Sequence, residues 1–358
     1  MNNIHSPFHS QKRSVSLLFF SLLLLMTNNP LAIAQRQATS SIPVASEKYG
    51  VALEFPLKVG TTNEVFFGKG IAVDPSGNIY VTGSIAGVEK YSPAGVWIRS
   101  IGAGHRLPAA VNGIIHDPGG AMASPEGGRL CNPFGIALDT SGNIYVTDGL
   151  TECIQKFASD GSYLGACTIP DKDVGSGYPP NVVSVAIDGQ NNLYVGDQTS
   201  NSVMKFDADG SPVAAYGSKG SKLGQFITVR FLAVDGEDLY AVDSLNWRVQ
   251  VMKTDWTFVR SFGTRGNENG QLSQPDGIGV DGSHNIYVGD GNHVVKFAKD
   301  GTFLSYINAV FNAKENRPGN RKQSVLPLSG LVGIAVDRGG RVYVPDSSKR
   351  VVVFMRLP

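Results

Sequence analysis

GIALDTSGNIYVTD, residues 135–148, sets a short apolar run ending in Asp139, a Ser-Gly-Asn turn, and a second run with Tyr145 at its core and Asp148 at its end. Strand-length apolar runs around a glycine-bearing turn spell an antiparallel hairpin. The pattern recurs at GIAVDPSGNIYVTG (70–83), SVAIDGQNNLYVGD (184–197), FLAVDGEDLYAVD (231–243), GIGVDGSHNIYVGD (277–290) and GIAVDRGGRVYVPD (333–346). Six copies place the first-strand aspartates Asp74, Asp139, Asp188, Asp235, Asp281 and Asp337 at separations of 65, 49, 47, 46 and 56. A unit of about 46 residues with two insertions follows.

Each hairpin runs on into a third β-rich segment: GVEKYS, CIQKFA, SVMKFD, RVQVMK, HVVKFA and RVVVFM. Five copies then turn at a polar or glycine-bearing corner, such as Ser159-Asp160-Gly161, into a fourth strand such as FVRSFG (258–263). Four short strands in a repeat of this length make the blade of a propeller, so the expected fold is all-β, a six-bladed β-propeller of four-stranded antiparallel blades. The sixth copy stops at Pro358, directly after its third strand. Its fourth is expected at the other end, in VALEFPLKV (51–59), where Val51, Leu53, Phe55, Leu57 and Val59 alternate onto one face. Pro56 has no N–H to donate, so that strand belongs on a sheet edge, where it completes the last blade and closes the ring.

The unit resembles the NHL repeat, most closely at DSLNWRVQVM (243–252) with FVRSFG. The resemblance covers about residues 51–358 and implies a propeller, while leaving function open among protein and RNA binders, lyases and lactonase-like enzymes. Two features depart from the pattern. Gly83 stands where the other second strands end in Asp, and the third-strand arginine survives only as Arg248 and Arg350.

Composition agrees with one globular chain. Of 358 residues 42% are apolar and 17% charged, and the 43 glycines belong in turns. Lys12 and Arg13 precede the apolar run Val15–Met26, too short to span a bilayer, and Ala32 and Ala34 suit signal cleavage after Ala34. The domain reading is a signal peptide (1–34), a polar linker (35–48) and a propeller (49–358), secreted or periplasmic, with no stable membrane span once cleaved. The remainder carries 29 basic and 30 acidic side chains, which leaves no polycation for nucleic acid. Cys153 and Cys167 flank Asp160 and Gly161 almost symmetrically, so a disulfide between them is feasible; three small buried side chains, Cys131 included, is the competing reading.

Chemistry is harder to read. Aspartates repeated in every blade fit turn acceptors of backbone N–H groups better than catalytic pairs or calcium ligands. The histidines after the signal are His105, His116, His284 and His293, and no H-x-x-H or H-E-x-x-H pair joins them, so no metal and no cofactor is assigned. There is no G-x-S-x-G elbow, and GSKGSKLG (217–224) is read as an inter-blade connector rather than a phosphate cradle.

Topology says where binding belongs. Loops from strand four to the next strand one share a face with those from strand two to strand three, and both insertions, 103–130 and 308–327, fall there, with a shorter excursion at 168–180. Residues just before each first strand reach the channel mouth on that face: Lys69, Phe134, Val183, Arg230, Asp276 and Val332. Lys69, Phe134, Arg230 and Asp276, with Trp247 as aromatic anchor and His293, are the candidate ligand-binding residues. Inter-blade packing is the competing role for Trp247, and Lys314, Arg317, Arg321 and Lys322 could attract an acidic partner. The expected protein is a monomeric binding scaffold for a protein, peptide or glycan; the alternative is a hydrolase or lyase, lactonase-like or amidating-lyase-like and metal-dependent, in the channel mouth.

Overall fold

A computed structural model describes residues 47–58, 66–83, 87–102, 128–149, 151–170, 180–307 and 328–358. The signal segment, most of the linker, nearly all of both insertions and Val59 lie outside the described residues.

The chain enters with β1 (Tyr49–Pro56). Blade one is β2 (Gly68–Val73), β3 (Ile79–Gly83), β4 (Gly87–Tyr91) and β5 (Trp97–Ile101). Blade two is β6 (Pro133–Leu138), β7 (Ile144–Asp148), β8 (Cys153–Phe157) and β9 (Tyr163–Thr168). Blade three is β10 (Val182–Ile187), β11 (Leu193–Asp197), β12 (Ser202–Phe206) and β13 (Pro212–Tyr216). Blade four is β14 (Val229–Asp235), β15 (Asp238–Asp243), β16 (Arg248–Lys253) and β17 (Phe258–Phe262). Blade five is β18 (Pro275–Val280), β19 (Ile286–Asp290), β20 (His293–Phe297) and β21 (Phe303–Ile307). Blade six holds β22 (Ala335–Val336), β23 (Val342–Asp346) and β24 (Arg350–Arg356), and its fourth strand is β1. Six four-stranded antiparallel sheets in a ring confirm the expected six-bladed propeller.

The second strands are buried on both faces, and the apolar clusters lie between consecutive blades. Tyr80, Val88 and Ile101 of blade one, for example, pack with Ile136, Ile144, Val146 and Phe157 of blade two. A blade buries its faces only against neighbours, so an incomplete ring would expose two of them.

The turn aspartates do what their repetition implies. Asp74 Oδ1 accepts from the N–H of Ser76 and Asn78 at 2.9 and 2.8 Å, while Oδ2 accepts from Asn78 Nδ2 and the Tyr80 hydroxyl. Asp139, Asp188 and Asp281 repeat the set. Blade four is the exception. Its turn is only Gly236-Glu237, and Asp235 instead meets His284 Nδ1 of blade five at 2.5 Å.

Ring closure has two supports. Arg350 forks Asp346 through Nε and Nη2 at 3.0 and 2.9 Å and reaches Glu54 of β1 through Nη1 at 2.7 Å. Upstream, Glu47 pairs with the buried Lys296 of blade five, and the Tyr49 and Tyr287 hydroxyls meet at 3.2 Å. Pro56 indeed lies on an edge strand. The single apolar face expected for this strand is corrected: the register shifts between Val51 and Leu53, so Tyr49 and Val51 pack toward blade five while Leu53, Phe55 and Leu57 pack toward blade one. An extra residue in one strand flips everything beyond it.

The same effect corrects the disulfide. Phe157 pairs with Tyr163, but a register shift between Lys156 and Phe157 sets Cys153 opposite Thr168 and Cys167 opposite Ile154. The two cysteines are one step out of register, on opposite faces, and no disulfide joins them. Burial pushes the Cys153 thiol up to about 12 and raises that of Cys167.

Candidate functional site

Lys69, Phe134, Val183, Arg230 and Asp276 lie within innermost strands rather than before them, and the reason is local. In each of these five strands the register shifts where the residue sits, between Gly68 and Ile71, Pro133 and Ile136, Val182 and Ser184, Val229 and Leu232, and Pro275 and Ile278. A bulge re-aims a side chain that the pleat would otherwise direct into the blade. The glycine that follows in most copies permits backbone contact around the ring: a Cβ on Gly70 would stand 2.3 Å from the Phe134 carbonyl oxygen, and one on Gly333 2.5 Å from that of Lys69.

The bulges converge on an aromatic plug. Phe134 of blade two and Phe231 of blade four, which are not adjacent blades, hold ring centroids 6.0 Å apart at 39°. Phe231 stands where most copies have glycine. That substitution in the repeat was the available signal for a residue the sequence reading did not single out. Lys69 Nζ lies 4.7 Å over the Phe134 ring and donates to Asn132 Oδ1 at 2.7 Å. Burial pulls the Lys69 ammonium below its ordinary pKa, against the Asp148 carboxylate, which favours the charged form.

Next in the chain to Phe231, Arg230 faces Asp276 of the following blade, Nε to Oδ1 at 3.5 Å. Both atoms are buried, and neither has a hydrogen-bond partner. Burial raises the Asp276 carboxyl to about 7, although the Arg230 guanidinium opposes it. Val183 is buried, and Val332 packs beside Phe134 and Phe231. Cation, acid and aromatic are therefore brought together from blades one, two, four and five.

Two candidates are not part of this group. Trp247 follows a 3-10 turn (Ser244–Asn246), takes a left-handed backbone at φ 53°, and donates Nε1 to the Ser273 carbonyl in the next connector at 3.1 Å, with the Arg265 guanidinium 4.6 Å over its ring. Those contacts are inter-blade packing. His293 lies in β20, third strand of its blade, edge-on to Tyr306 of the outermost strand and 3.6 Å from Asp290. Burial holds its imidazole below the ordinary value, opposed by Asp290. The Lys314, Arg317, Arg321 and Lys322 cluster lies outside the described residues.

The segment 217–226 is an ordered connector between β13 and β14, closed by Gly220 N–H to Phe226 O and Phe226 N–H to Ser218 O; 263–272 repeats it. Among the described residues no group of three or more His, Cys, Asp or Glu could hold a metal ion, and no helix is long and apolar enough to cross a membrane. His105 and His116 lie outside the described residues.

The fold is a six-bladed β-propeller whose innermost strands bring Phe134 and Phe231 together across the ring. The family described as Beta-propeller repeat matches residues 59–87, within one such unit. No curated protein matches the chain. Among solved structures the chain is similar to a catalytically inactive virginiamycin B lyase from Staphylococcus aureus with quinupristin, at 13% identity over 87% of this chain and 100% of that one, TM-score 0.54. It is also similar to a streptogramin B lyase, at 14% identity over 85% and 98%, TM-score 0.52. A structure of U3-55K matches at 16% identity over 84% and 81%, TM-score 0.53. At these identities the likeness is one of fold.

Proposed function

We propose that this chain is an exported propeller of the NHL type, a scaffold that binds a protein, peptide or glycan ligand at the channel mouth on its loop-rich face. One observation carries the reading: the bulged innermost strands converge on the mouth, where Arg230 Nε and Asp276 Oδ1 remain buried without hydrogen bonds beside Phe134. Buried polar groups are ordinarily satisfied, so a facing donor and acceptor that are both without a partner call for a cause, and a bound ligand is one. The signal-like residues 1–34 support secretion or a periplasmic site for a monomer, and the near balance of 29 basic and 30 acidic side chains in the remainder argues against nucleic acid. Secretion is tested by N-terminal sequencing of the exported protein, with Gln35 expected first. Binding is tested by screening the purified protein against immobilised peptides and glycans. Loss of any bound ligand in Arg230→Met supports the mouth, and retention of full affinity refutes it.

A second reading, a hydrolase or lyase, is favoured by Asp276 itself. A carboxyl raised to about 7 is poised for general acid–base work near neutral pH. The two lyases among the similar structures are consistent with that chemistry on this fold. Turnover of a linear or cyclic peptide or lactone by the purified protein, lost in Asp276→Asn, would establish it.

A further inference from the structure

Arg230 and Asp276 form an ion pair that stops short of a hydrogen bond. Two buried arginine pairs of the third strands do close: Arg248 reaches Asp243 at 2.8 Å and Arg350 reaches Asp346 at 2.9 Å. At the mouth the separation is 3.5 Å, and the donor and the acceptor are both orphaned. Each orphan is unfavourable on its own, so whatever satisfies the two together is favoured strongly.

The chemistry of that group is constrained. It must accept from a guanidinium N–H and donate to a carboxylate a few ångströms away. A hydroxyl does both with one oxygen, a carboxylate has nothing to donate, and an ammonium cannot accept. Charge leads to the same answer. Above pH 7, with Asp276 ionised, Lys69 and Arg230 are balanced by Asp148, which acts on Lys69, and by Asp276, which faces Arg230, so there the mouth has no net charge for an ion to neutralise. Half-buried Phe134 packs against Phe231, the chain neighbour of Arg230, and a Cβ on Gly277, the chain neighbour of Asp276, would stand 2.5 Å from the Val332 carbonyl oxygen, so apolar surface adjoins the polar pair.

Resting on the reading of the mouth as a ligand site, we infer that it takes a neutral polyhydroxylated ligand, a saccharide, with one hydroxyl between Arg230 Nε and Asp276 Oδ1 and the C–H surface of the sugar ring against Phe134. The sugar replaces the missing hydrogen bonds of both side chains at once. Neither an acidic nor an amino sugar gains the same, because each brings one unbalanced charge.

The test is titration calorimetry of the purified protein with cellobiose, maltose, lactose and N,N′-diacetylchitobiose, alongside glucuronic acid, glucosamine and an acidic and a basic pentapeptide. Binding of at least one neutral disaccharide is expected, weakened about tenfold or more by Arg230→Met and by Asp276→Leu, with the double variant no weaker than either single one. Asp276→Asn, which keeps shape and an acceptor, covers the case in which leucine disturbs the fold. If no neutral saccharide binds, or the charged sugars bind more tightly, the inference fails. If a pentapeptide alone binds and Arg230→Met abolishes it, the saccharide is wrong and the mouth stands. If nothing binds and the variants change only melting, water bridges the pair and both readings fall.

Discussion

Glu54 of the first strand and Arg350 of the last are joined at 2.7 Å, Oε1 to Nη1, across 296 residues of chain. The same guanidinium holds Asp346, whose carboxylate is fully buried. Arg350→Met leaves that charge without its cation and should destabilise by about 3–5 kcal/mol. Glu54→Gln, at a partly exposed partner, should lower stability by less than about 1 kcal/mol. Urea unfolding of the two variants checks the asymmetry, and equal losses would contradict it.

Asp276 should make stability fall as pH rises. Unfolded, its carboxyl titrates near 3.9; folded, at about 7, so across that window the native chain keeps a proton the unfolded chain has released. The contribution of the neutral acid is complete below pH 4 and is lost through pH 7. Between pH 5 and 8 the wild type should lose about 2–3 kcal/mol relative to Asp276→Asn. Parallel stability curves for the two proteins would contradict the burial of this carboxyl.

Trp247 should behave as packing. Losing its bond to the Ser273 carbonyl and its ring contact, Trp247→Ala should destabilise by about 1–3 kcal/mol. Ligand affinity should be unchanged, because the side chain faces the neighbouring connector. Trp247→Phe should fall between. Calorimetric melting together with ligand titration separates the two roles.

The cysteines of blade two should be thiols of low reactivity. Cys153, pushed up to about 12 by burial, should resist alkylation at pH 8 in the folded protein and react on unfolding. Mass spectrometry after iodoacetamide, with and without prior reduction, should give identical labelling of Cys153 and Cys167; a reduction-dependent difference of two would restore the disulfide.

Repetition is why so much of the fold was legible. Six aspartate-ended hairpins give strand order, turn acceptors and blade number, because a pattern written several times averages out local accidents. What escaped was set by single inserted residues. Ala52 turns half of the first strand to the other face, and the shift between Lys156 and Phe157 parts Cys153 from Cys167. Neither shows in composition or period. Lys69, Phe134, Arg230 and Asp276 were named by their position in the repeat alone, but that Phe134 would meet Phe231, and that Arg230 would stop short of Asp276, depends on contacts between blades and on backbone bulges. His293 was misplaced for a simpler reason: its loop shares the right face, yet its strand stands away from the axis.

The pairing of β1 with β24 also orders events in time. On the ribosome Tyr49 to Pro56 emerge nearly 300 residues before β24, and through all of that interval this ribbon of β-prone chain has side-chain contacts to blade one but no strand to pair with. Assembly of the circle therefore waits until Arg350 to Arg356 have been made, and a chain interrupted anywhere before Arg350 is left with a loose end that other unfinished copies can capture.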